Sequence, residues 1–135
     1  MRKLTATICL TIAVLLGLPV QAETVLYCQS EFATGLIKAN GSWREGSFKL
    51  LRWTIKFEDD YSRLNGVSYK PMVCQKSYSQ YPNRIYCVHQ WGAHETFIYD
   101  TVKRRFTFSQ MVGGFVSNAP DADTDVLYAG TCRKF

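Results

Sequence analysis

The chain is 135 residues long and carries 16 lysines and arginines against 11 aspartates and glutamates, a formal charge of +5. That length holds one domain around a single core and not two. So weak a basic excess suits loose attraction to anionic envelope surfaces and excludes a dedicated nucleic-acid binder, which needs a clustered basic face.

The opening segment, MRKLTATICLTIAVLLGLPVQA, runs from Arg2 and Lys3 through an apolar stretch over residues 4–18 to a small-residue end at Ala22. This is the order of a cleavable secretory signal peptide, with a greasy part too short to span a bilayer comfortably. Residues 1–22 are therefore set apart from the fold. Residues 23–135 are the expected mature domain, exported to the periplasm or beyond with neither a transmembrane nor a lipid anchor. Without Arg2 and Lys3 the balance is 14 basic against 11 acidic side chains, a formal +3.

Cys9 leaves with that segment, so Cys28, Cys74, Cys87 and Cys132 remain. An even count in a small exported chain reads as two disulfides. Zinc would need two close pairs of ligands, which Cys74 and Cys87 do not supply. Of the three pairings, Cys28–Cys132 with Cys74–Cys87 is expected: one bond staples the opening strand to the closing one, and the other ties a hairpin across its long loop.

Short alternating segments follow one another along the mature chain. TVLYCQ opens. SEFATGLIKAN is ambiguous because Gly35 interrupts it, and reads as a bent strand or a short helical turn leading into a hairpin at Asn40-Gly41. In LLRWTIKFE, Leu51, Trp53, Ile55 and Phe57 alternate with Arg52, Thr54, Lys56 and Glu58, the period of a half-buried strand. After a turn at Asn65-Gly66 comes GVSYKPMVCQ, where Pro71 predicts an edge position or a bulge because proline cannot donate to a ladder. Tyr81-Pro82-Asn83 turns the chain into RIYCVHQ, then ETFIYD and RRFTFSQ. GGFVSN begins at Gly113-Gly114, the mark of a bulge or a sharp corner. After a turn at Asn118-Ala119-Pro120, TDVLYAGTC closes the chain. Seven or eight short strands without a repeat predict an all-β domain, a single small antiparallel barrel or β-sandwich with two disulfides.

Asp121, Asp123 and Asp125 match the first, third and fifth ligand positions of an EF-hand, but the sixth residue is Val126 instead of glycine and the twelfth is Cys132 instead of glutamate. What remains is a looser calcium site, helped by Asn118 or loop carbonyls, set against a surface turn in which Asp125 caps the start of the strand. His89 and His94, with Glu95, would share a zinc or copper ion only if Gly92 folds the chain into a hairpin. Lys103, Arg104 and Arg105 lie at or beside a hairpin turn, where a basic cluster would meet phosphate or carboxylate groups on a partner. Trp43 and Trp91 fall near predicted loops, where exposed rings bind sugars or proteins, whereas Trp53, Phe57, Phe97, Phe106 and Phe108 read as core. No serine elbow, phosphate loop or HExxH pair is present.

Three segments, YCQSEFATGLIKANGSW, RRFTFSQMVGGFV and DTDVLYAGTC, resemble the recurring pattern of small exported bacterial proteins of uncharacterised function. The shared features are an early cysteine followed by Thr-Gly and tryptophan, an Arg-Phe strand, and a closing Gly-Thr-Cys. The resemblance implies an exported domain closed by cysteines. A second comparison is with small periplasmic barrels that inhibit lysozyme, which are similar in their tyrosine beside the first cysteine and in their closing cysteine. The Ser-Gly-x-x-Tyr loop of those inhibitors is missing from this chain.

The leading expectation is thus a noncatalytic binding module for a protein or an envelope glycan, with Trp43, Trp91, Lys103, Arg104 and Arg105 as contacts. The second is a small metal-assisted hydrolase using His89, His94 and Glu95. The third is a structural envelope protein without a discrete ligand.

Overall fold

The computed structural model describes residues 23–76, 79–91, 94–111, 113 and 124–135. Among the described residues nine strands run in chain order: β1 (Thr24–Ala39), β2 (Ser42–Ser47), β3 (Arg52–Phe57), β4 (Arg63–Asn65), β5 (Met72–Lys76), β6 (Arg84–His89), β7 (Glu95–Asp100), β8 (Arg105–Gln110) and β9 (Asp125–Lys134). Eight of them close an antiparallel barrel in the order β1-β3-β4-β5-β6-β7-β8-β9, sealed by the ladder between β9 and β1. This decides between barrel and sandwich, because closure leaves the eight strands no free sheet edge.

The ninth strand follows from the length of β1. Residues 24–29 of β1 pair with β3, and residues 34–39 pair with β2, so β2 continues the same side of β1 as a hairpin arm. The junction is fixed by Ser30, which is fully buried. Its hydroxyl donates to the Leu51 carbonyl at 3.1 Å and accepts from the Leu51 N–H at 2.7 Å. At this point β1 carries a bulge: Ser30 pairs with Gly130 and Phe32 pairs with Ala129, leaving Glu31 as the extra residue. The ambiguous segment is therefore a bent strand. The hairpin predicted at its end forms at Asn40 (φ 52°) and Gly41 (φ 79°), the two left-handed positions a two-residue turn demands.

Leu26, Cys28, Ile55, Phe57, Leu64, Met72, Cys87 and Phe97 are fully buried inside the barrel. A barrel this small is filled by side chains reaching across it. Trp53 of β3 does so, meeting Phe106, Phe108 and Tyr128 edge-on at centroid distances of 5.6, 5.9 and 5.6 Å. Phe97 stacks on Phe106 at 5.4 Å and Phe57 on Tyr99 at 5.6 Å. Phe57, Phe97, Phe106 and Phe108 are thus core residues as expected, with Trp53 partly buried against them.

Both expected disulfides are present, Cys28–Cys132 between β1 and β9 and Cys74–Cys87 between β5 and β6. Each joins directly opposed residues of neighbouring strands. One expectation is corrected: β5 begins at Met72, so Pro71 stands just before it and removes no ladder hydrogen bond, and it needs neither an edge nor a bulge. The GGFVSN strand, apart from Gly113, and the Asn118-Ala119-Pro120 turn lie outside the described residues, as does the segment read as a signal peptide.

Candidate functional site

The alternation that fills the barrel with one face of each strand turns the other face outward. The register aligns those outward residues across five neighbouring strands. One row is Tyr86, Ile98, Thr107, Ala129 and Phe32, and the row beside it is Arg84, Asp100, Arg105 and Thr131. The first row has aromatic rings at both ends, with Ile98 beside Tyr86 and the smaller Thr107 and Ala129 towards Phe32. All nine residues, with Glu31 and Lys103, line one open cavity of about 690 Å³. The low stretch at Thr107 and Ala129, between Phe32 and the Tyr86–Ile98 pair, thus makes a trough in a barrel wall that would otherwise be convex.

Phe32 forms one end of this trough because of the bulge. Without the extra residue Glu31, strict alternation from buried Ser30 would turn Phe32 inward. In the structure its ring is 69% exposed. The trough runs across the strands for four inter-strand steps of about 4.8 Å, a contour of roughly 19 Å from Tyr86 to Phe32.

The second row sets the charge. Asp100 lies between Arg84 and Arg105 in the register, yet its carboxylate turns to the β7–β8 turn and accepts the N–H groups of Val102 (3.0 Å) and Lys103 (2.7 Å). Glu31 accepts from the Thr131 hydroxyl at 2.9 Å. Arg84 lies over the Tyr81 ring at 4.0 Å. Among the described residues, Arg84, Lys103 and Arg105 form no ion pair. Three cations thus share the trough with two carboxylates, a net formal charge of +1, and Lys103 and Arg105 stand without an acidic partner while Arg84 packs on Tyr81.

Of the sequence-predicted contacts, Lys103 and Arg105 belong to this trough. Arg104 sits in the same turn in the left-handed region (φ 55°), its carbonyl accepting the Cys132 N–H at 2.8 Å. Trp91 is elsewhere, 72% exposed in the β6–β7 loop at the opposite end of β7. Trp43 is on the β2 arm facing Lys38, whose ammonium lies 5.9 Å from its ring. The two tryptophans and the basic turn therefore do not form one surface. Phe32, Tyr86, Ile98, Thr107 and Ala129 escaped sequence reading because register and a bulge, neither visible in a single strand, bring them together.

The barrel end near Trp91 holds the histidines. β6 and β7 pair antiparallel and the rings of His89 and His94 lie 5.1 Å apart, while Gly92, on which the metal reading turned the chain, lies outside the described residues. His89 is 2% exposed, its Nδ1 accepting the Trp91 N–H at 3.3 Å. Glu95 is buried and accepts from Gln110 Nε2 at 3.0 Å. His89 Nε2 and Glu95 Oε2 are buried without a hydrogen-bond partner. Among the described residues, no three His, Cys, Asp or Glu side chains are grouped to hold a metal ion. Tyr69 lies tilted against His89 with ring centroids 5.1 Å apart, and the Lys70 ammonium lies 5.5 Å from the Tyr69 ring and 5.3 Å from the Trp91 ring.

Asp125 opens β9, is buried, and accepts the Gly113 N–H at 3.1 Å, as a residue capping the start of a strand does. Asp121 and Asp123, the other two residues of the calcium reading, lie outside the described residues. Inside the barrel, burial raises the Tyr99 phenol above its ordinary range, with Tyr61 adding to the effect, and burial alone raises Tyr128. Comparison with protein-family models, curated proteins and solved structures finds no match for this chain.

Proposed function

We propose that this protein is an exported, noncatalytic binding module of the cell envelope, holding a protein or glycan ligand in the trough on the outer wall of its barrel. One observation carries the reading: a row of outward residues with an aromatic ring at each end and Ile98, Thr107 and Ala129 between, flanked by three cations that form no ion pair with the two carboxylates of the same lining. Clefts of this size with an apolar floor and a few placed charges are the usual form of a ligand site. The protruding Phe32 is the kind of rigid ring that contributes most at a contact. Export is supported by the signal-like first segment and is in keeping with two disulfides, which persist in oxidising compartments.

The test is capture from native envelope extract by the tagged protein and by a Phe32→Ser/Tyr86→Ser variant. Both substituted side chains lie on the outer wall, so the variant keeps its barrel, checked by disulfide mapping and circular dichroism. Loss of the captured ligand by this variant and retention by Trp43→Ala and Trp91→Ala is the expected result. Equal capture by all four proteins would remove the trough as the site.

A further inference from the structure

We infer that the occupant of the trough is a linear glycan carrying a carboxylate on its repeating sugar; this rests on the binding reading above and names its ligand. Three observations converge on this chemistry.

The first is the floor. β7, β8 and β9 are each paired on both sides, so their backbone N–H and C=O groups are used in the ladders. An extended polypeptide laid over Ile98, Thr107 and Ala129 would bury its own backbone polar groups with little beyond the Thr107 hydroxyl to meet them, which is costly. A pyranose chain avoids that penalty: its C–H faces turn to apolar surface while its hydroxyls remain at the rim in water.

The second is repetition. Phe32 and Tyr86 stand at the two ends of one row, roughly 19 Å apart along the sheet. A ligand that uses both needs an apolar face at each end, and a polymer of like sugars presents that face at regular intervals to rings that favour flat contacts.

The third is charge. Arg84 on β6, Arg105 on β8 and Lys103 in the turn lie along one side of the trough, parallel to the line joining the rings. Asp100 turns to the N–H groups of the β7–β8 turn and Glu31 to Thr131, so neither carboxylate forms an ion pair with the three cations, and the lining keeps a net formal charge of +1. Carboxylates spaced along one edge of a glycan would meet these cations, the arginines in a bidentate manner.

The decisive experiment uses protein recovered after expression of the full chain, titrated with tetragalacturonate and followed by amide chemical shifts. Controls are the methyl ester of tetragalacturonate and a hexaglutamate peptide. The expected result is saturable binding with a Kd on the order of 0.1–1 mM, with shifts centred on Phe32, Tyr86, Ile98, Thr107 and Ala129. Binding falls about tenfold or more in Arg84→Gln/Arg105→Gln and in Phe32→Ala. Equal binding of the ester overturns the carboxylate, and equal or tighter binding of hexaglutamate overturns the glycan. If tetragalacturonate does not bind but Phe32→Ser/Tyr86→Ser still loses capture from envelope extract, the glycan is wrong and the trough stands. If capture also survives that variant, both readings fall.

Discussion

Removing the two disulfides one at a time should have unequal effects, and the structure sets the size of the difference. Cys28–Cys132 spans 104 positions of sequence and Cys74–Cys87 spans 13. Loop-closure entropy in the unfolded chain then assigns about 4.7 kcal/mol to the first bond and about 2.9 kcal/mol to the second. Replacing each pair by alanine also leaves small cavities. All four cysteines are at most 9% exposed, so the cavity contributions are similar and largely cancel in the comparison. Cys28→Ala/Cys132→Ala should therefore lie about 1.8 kcal/mol below Cys74→Ala/Cys87→Ala, a gap of roughly 8 °C in Tm for a barrel of this size. Urea unfolding followed by tryptophan fluorescence, with midpoints and m-values for both variants, measures it. Midpoints that agree to within about 0.5 kcal/mol, or that fall in the reverse order, would refute the view that chain closure between β1 and β9 governs the difference.

Other perturbations test separate parts of the fold. A Cβ at Gly130 would lie 2.0 Å from the Gln29 carbonyl oxygen and 2.7 Å from Ser30 Cα, so Gly130→Ala must spread β1 from β9 and should cost about 2 kcal/mol or more; a cost near zero in thermal melts would show that the ladder yields freely. Gly41→Ala meets nothing within 4 Å and is opposed by its φ of 79° alone, so its cost should be about 1 kcal/mol. Ser30→Ala removes both side-chain bonds to Leu51 in a fully buried position and should cost about 1–3 kcal/mol in urea unfolding. Tyr99 and Tyr128 have phenols raised by burial, so the unfolded chain loses its tyrosine protons first as pH climbs. Their contribution is complete below the unfolded tyrosine value near 10 and is lost as pH rises through the folded values. Stability measured from pH 8 to 11 should fall, and Tyr99→Phe should flatten that fall; an unchanged slope would exclude Tyr99 as a cause.

Much of the fold was legible along the chain. The alternation of Leu51, Trp53, Ile55 and Phe57 is local, because side-chain direction in a strand follows from position parity alone, and β3 buries Ile55 and Phe57 as read. Asn40-Gly41 was legible for a similar reason, since left-handed backbone selects its residues one at a time. The cysteine pairing followed from the size of the chain and the order of its strands. Pro71 was misplaced because strand ends are decided by partners: β5 pairs with β4 through Met72 and Val73 and extends no further back than Met72.

What the sequence alone determined is the all-β class, most of the strands, the buried face of β3, the turn at Asn40-Gly41 and the two cross-links, whereas β2 and β4, short strands without a clear alternation, were not legible. What only the tertiary structure decided is closure, register and the trough. Tyr86 and Phe32 are 54 positions apart in the chain and reach the same row only because four ladders align them and Glu31 is left over at a bulge. Lys103 and Arg105 were legible as a basic turn, but that they flank an aromatic-ended trough, and that Trp91 stands at the other end of β7, depends on pairings between distant segments. Register is a relation between strands, with no counterpart in the order of residues along any one of them.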